Sequence, residues 1–213
     1  MTQDERTVRV GAVAAGLSAL MLVLMALVAF PNGEFYPAVS VLAGAPAPAA
    51  DVLMEYQRAL GLLFTLDGVF LAGWLLAWIG LYRVIRKRHL VYAVLSLGFG
   101  LAGAVLDFGE NSLIWGAAGS LAAGQTLAPG WLQTWKAVQH LSYWFPYIAA
   151  VFAALSVWSG RALDRIISLI GTVLVVAAAA GLYFPAFSLV SNVWFLVWFV
   201  GLSVWLWRAA PGH

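Results

Sequence analysis

Six stretches of the chain stay apolar long enough to cross a bilayer, which takes about 20 residues. They run over 8–30, 59–82, 90–117, 131–158, 166–184 and 187–207, with polar residues gathered in the links between them. The pattern predicts an all-α, polytopic membrane protein, a single six-transmembrane-helix bundle. The first stretch has Arg6 and Arg9 before an apolar core, as a signal sequence does. That core runs on through Phe30 with no small-x-small cleavage site directly behind it, so it reads as a retained helix. One long connection, 31–58, follows it. An Ala-Pro-Ala-Pro run at 45–48 favours extended backbone there, and a short helix is expected from Asp51, presenting Asp51, Glu55 and Arg58.

Charge placement sets the orientation. Nine of the eleven lysines and arginines fall on one side of a six-span alternation: Arg6, Arg9, Arg83, Arg86, Lys87, Arg88, Arg161, Arg165 and Arg208. Basic residues favour the cytoplasmic side, so both termini are expected there and 31–58 is expected outside, in an inner or plasma membrane. Arg58 and Lys136 are the exceptions, at or inside the outer boundary.

Composition agrees with the pattern, at 63% hydrophobic and 9% charged residues. The net charge of +2 marks orientation and gives no reason to expect nucleic acid. Without cysteine, disulfide exchange and thiolate metal sites are excluded. Tryptophans 115, 131, 135 and 194 gather near the outer boundary and 78, 158, 205 and 207 near the inner one, as an aromatic belt does. Trp74, Trp144 and Trp198 lie nearer mid-membrane, where helix packing explains them; an aromatic wall for an apolar ligand or pigment is the sharper alternative.

Ionisable groups inside spanning helices cost several kcal/mol and persist when paired, wetted or used. The candidates are Asp67 on the second span, Asp107, Glu110 and Asn111 on the third, and Lys136, Gln139, His140 and Tyr143 on the fourth. At about 1.5 Å per residue, Glu110 and Lys136 both lie roughly 7 Å below the outer boundary. Asp107, His140 and Asp67 lie roughly 12–13 Å below it. Positions 107, 110 and 111 share one helix face, as do 136, 139, 140 and 143. Glu110–Lys136 and Asp107–His140 pairs are therefore expected. Ser96, Gly100 and Ala104 form a small-residue stripe for close helix approach, and Pro146 is expected to kink the fourth helix and open room beside the polar groups.

Two plain ties between helices would account for those pairs. Three acids against one lysine and one histidine go further, pointing to a shared proton, water or a cationic ligand. No metal is predicted, because the chain lacks Glu-x-x-His and a second intramembrane histidine, and Lys136 would repel a cation. Haem held by paired histidines, a retinal Schiff base on a late helix and a serine triad at Ser112 or Ser142 all lack their partners. No cofactor is indicated. Asn192 on the sixth span is placed to reach the layer.

Three functions remain. The first is a polar pocket, open to the extracytoplasmic side, that binds or moves a small molecule, lipid or proton. The second is an accessory or structural subunit of a larger membrane complex, docked through the fifth and sixth helices. The third is a membrane enzyme acting on a lipid or isoprenoid head group with an Asp107/His140 acid–base pair. The bilayer is the common partner of all three.

Overall fold

A capping box starts the first helix. The Thr2 amide donates to Glu5 Oε2 at 2.6 Å and the Glu5 amide donates to Thr2 Oγ1 at 3.2 Å. Helix α1 (Gln3–Ala29) therefore begins ahead of its apolar stretch. The computed structural model describes residues 2–29, 50–158, 161–183 and 186–210. Within these it gives α2 (Ala50–Ile85), α3 (Leu90–Ala122), α4 (Trp131–Val157), α5 (Ala162–Tyr183) and α6 (Ala186–Ala209). The helix expected from Asp51 is the first part of α2, which runs unbroken into the span. The Ala-Pro run and the rest of 30–49 lie outside the described residues, as do the side chains of Asp51, Glu55, Arg58 and Asn192.

The described protein is all-helical, with six helices. Four contain stretches long and apolar enough to cross a membrane: Gln3–Val28, Leu60–Ile85, Leu90–Ala122 and Trp131–Val157. A shorter apolar stretch, Val193–Ala209, lies in α6. Each helix packs on its neighbours in sequence and α6 closes on α1, making a ring in which α2 also reaches α4 and α6.

Lipid-facing helices gain little from apolar burial, so close approach and interhelical hydrogen bonds hold them together. Serine hydroxyls supply those bonds at four seams. Ser18 donates to the Phe70 carbonyl at 3.1 Å, Ser96 to that of Ala149 at 2.9 Å, Ser168 to that of Ala154 at 2.8 Å, and Ser203 to that of Ala12 at 2.7 Å. Glycine supplies the approach. A Cβ on Gly11 would lie 2.8 Å from Gly80 Cα, so α1 and α2 touch backbone to backbone. Gly100 lies under the Trp78 ring and Gly103 under the Pro146 ring, each leaving a Cβ only 2.9 Å of space. The main core gathers Phe70 and Trp74 of α2 with Tyr147 of α4 and Phe195 and Phe199 of α6, their rings meeting at centroid distances of 5.0–6.3 Å.

Several tryptophans depart from the belt expectation. Trp115, Trp158 and Trp207 are exposed, as belt residues are, but Trp78, Trp135 and Trp205 are buried. Trp78 fills the space above Gly100, and the Trp205 indole donates to Asp164 Oδ1 at 2.8 Å.

The basic residues gather at one end of the ring. Asp4 at the start of α1 lies 3.4 Å from Arg83 and 3.5 Å from Arg86 and Lys87. Arg88 reaches Asp164, in the first turn of α5, at 3.2 Å. The Arg9 guanidinium sits over Trp207, 5.6 Å from its ring centroid. These contacts place the start of α1, the α2–α3 link, the start of α5 and the end of α6 together.

Candidate functional site: an acidic layer at the far end

Away from that basic end, α2, α3 and α4 bring polar side chains to one level. The Asn111 side-chain amide donates to Asp67 Oδ2, joining α3 to α2. Glu110, 6% exposed, points the other way, into the α3–α4 seam. There the Ser142 hydroxyl lies 2.8 Å from Glu110 Oε2 and 2.9 Å from the Gln139 carbonyl oxygen, so its one proton serves either acceptor. The Gln139 side chain lies beside the Glu110 carboxyl. Asp107, half-buried, stands one turn before Glu110 and Asn111 on the same face of α3, and no hydrogen bond to it is found among the described residues. Five expected residues thus come together: Asp67, Asp107, Glu110, Asn111 and Gln139. Among the described residues every hydrogen-bond partner of these carboxyls is neutral.

The expected cations stand elsewhere. Lys136 and His140 are exposed on the outward side of α4, and neither forms an ion pair among the described residues. The Glu110–Lys136 and Asp107–His140 pairs are therefore not formed. Tyr143 is exposed beside them at 46%. The physical reason is which face of α4 packs inward. Its buried residues include Trp135, Ser142, Pro146, Ala149, Ala150 and Ala153, a small-residue face about a quarter turn from the line through Lys136 and His140. Gln139 lies between the two faces and reaches inward. Ser142 was the missed member of the layer, and the run of small residues inward of it was the signal.

The side expected to open carries an apolar cluster. Leu60, Ile114, Ala118 and Trp135 form a second apolar cluster, with Phe64, Leu113, Trp131 and Leu132 packed against it. Each lies one or two turns beyond the carboxyls, toward the ends of α2, α3 and α4 remote from the basic end. The polar layer is thus held between two apolar clusters. Its flank is open instead. A cavity of about 270 Å³ lies between α2 and α3, walled by Phe64, Leu71, Phe108 and Trp115, with Gly68 and Gly116 in its lining and Asn111 and Ser112 as its polar atoms. Phe108, Ser112, Trp115, Gly68 and Gly116 are exposed, so this groove faces the surroundings of the bundle.

Pro146 sits inside an unbroken α4, its ring filling the space over Gly103. The room beside the polar groups comes from the α2–α3 seam. Among the described residues no three His, Cys, Asp or Glu side chains converge as a metal ion requires. The chain is thus a helical membrane protein with carboxyls gathered at one level, away from its basic end. No protein-family model matches it, and comparison with curated proteins and with solved structures likewise finds no match.

Proposed function

We propose that this chain is a binding protein of the inner or plasma membrane. In this reading it has six spans, both termini are cytoplasmic, and its acidic layer in the outer half takes up a small positively charged species, a proton or a cationic ligand. One observation carries it: Asp67, Asp107 and Glu110 stand at one level of α2 and α3, and the hydrogen bonds found to them among the described residues come from neutral Asn111 and Ser142. Like charges gathered in a low-dielectric layer favour uptake of positive charge. Binding is favoured over translocation, because the aromatic core of Phe70, Trp74, Tyr147 and Phe199 fills the path toward the basic end. The acid–base pair of an enzymatic reading loses its support, since His140 faces outward.

The test is native mass spectrometry of the gently solubilised protein. The parent retains a small adduct that Asp107→Asn and Asp67→Asn lose while remaining folded; an adduct kept by both variants contradicts the reading. Cysteines placed at Gly124 and Lys87 test the orientation in intact cells. An impermeant thiol reagent should label the first and spare the second.

A specific observation favours a second reading, membership of a larger complex. Lys136 and His140 face outward from an apolar span, where lipid alone solvates a charge poorly. A partner subunit bearing carboxylates on that edge of α4 would satisfy both, and Lys136→Met with His140→Gln would then release it during purification.

A further inference from the structure

The groove between α2 and α3 makes the ligand class more specific, on the footing that the acidic layer is a binding site. We propose that it is a side-entry site for a single-chain lipophilic amine, whose apolar body lies against Phe64, Leu71 and Phe108 and whose ammonium group reaches Asn111 and Asp67.

Four observations converge on this. The first is the space itself. At about 270 Å³ the cavity lies just below the range of drug-sized pockets, which suits one chain or one ring system. The second is how the space is kept. Gly11, Gly80, Gly100 and Gly103 are pressed by a neighbouring backbone or ring, whereas a Cβ on Gly68 or Gly116 would meet nothing within 4 Å. Both of those open glycines line the groove. No packing contact accounts for the missing side chain there, and a larger one would fill the cavity.

The third is the polarity of the wall. Asn111 spends a side-chain N–H on Asp67, which turns its carbonyl oxygen away from that carboxyl. The Ser112 hydroxyl donates to the Phe108 carbonyl at 2.8 Å, leaving its lone pairs free. Acceptor lone pairs on Asn111 and Ser112 outnumber the one N–H that Asn111 retains, Asp67 stands behind Asn111, and the complementary head group is a donor carrying positive charge. The fourth is access. The cluster of Leu60, Ile114, Ala118 and Trp135 lies between the layer and the helix ends, while the groove wall is exposed along the flank of α2 and α3. A ligand arriving this way comes from the lipid, as an amphiphile does.

The experiment uses the full chain in nanodiscs and three probes of equal chain length: dodecylamine, dodecanol and dodecanoate. Thermal unfolding and native mass spectrometry read binding. The amine should bind saturably and raise Tm, at least tenfold tighter than the alcohol, and dodecanoate should not bind. Gly68→Leu should abolish binding of the amine and the alcohol without lowering the Tm of the empty protein. Asp67→Asn should keep the alcohol and lose the preference for the amine. Equal, unsaturable uptake of all three probes overturns the proposal, as does amine binding that survives Gly68→Leu. If that surviving binding is lost in Asp107→Asn, the groove is wrong and the acidic layer stands. If Asp67→Asn and Asp107→Asn both leave it unchanged, the layer falls as well.

Discussion

At the basic end Asp4 lies within 3.5 Å of three cations, and Asp164 is held by Arg88 and the Trp205 indole. At the other end, among the described residues, Asp67 finds Asn111, Glu110 finds Ser142, and no hydrogen bond to Asp107 is found. Particular glycines show the same difference. Gly11 and Gly80 bring two backbones together, whereas Gly68 and Gly116 line an open groove. One end therefore behaves as a structural fastening, with charges matched and space filled. The other keeps acid without a cationic partner among the described residues beside unfilled space, the arrangement on which the proposed binding site rests.

Three comparisons test that contrast, in order of expected effect. Gly11→Leu forces a side chain into the α1–α2 backbone contact and should lower unfolding free energy by about 3 kcal/mol. Gly68→Ala, facing open space, should stay within about 0.5 kcal/mol of the parent. Denaturant titration of the solubilised protein compares the two, and equal losses would break the distinction between filled and open glycines. Asp164→Asn removes the charge that holds Arg88 and should cost about 2 kcal/mol. Asp107→Asn removes a like charge and no partner, so it should leave stability within about 0.5 kcal/mol or raise it. A large loss from Asp107→Asn would make the acidic layer a fastening too. Lys136→Met should change stability least, by less than about 0.5 kcal/mol, because no ion pair is lost. The same substitution combined with Glu110→Gln should show no coupling in a double-mutant cycle.

The helices were legible in the sequence because apolar stretches of bilayer length leave few other structures available. Their ends were less so. The α1 start was set by a capping box at Thr2 and Glu5 that hydropathy does not register. On α3 the i, i+3, i+4 spacing of Asp107, Glu110 and Asn111 placed all three in the layer. On α4 the same reasoning selected the line through Lys136 and His140 and missed Ser142. Polar residues draw attention in an apolar span, yet close packing is decided by small ones, and Ser142, Ala149, Ala150 and Ala153 turned the helix accordingly. The lateral groove was not legible, because it depends on side chains being absent at Gly68 and Gly116 and on how two helices diverge.

Chemical modification by dicyclohexylcarbodiimide compares both ends of the molecule in one sample. This uncharged, lipid-soluble reagent forms a stable N-acylurea on carboxyls it reaches from the membrane, and peptide mass spectrometry locates the product. The account predicts modification of Asp67 or Asp107 in the folded protein, its suppression by Gly68→Leu, and none at Asp164. Modification of Asp164 at a comparable rate, or an unmodified acidic layer, would contradict it.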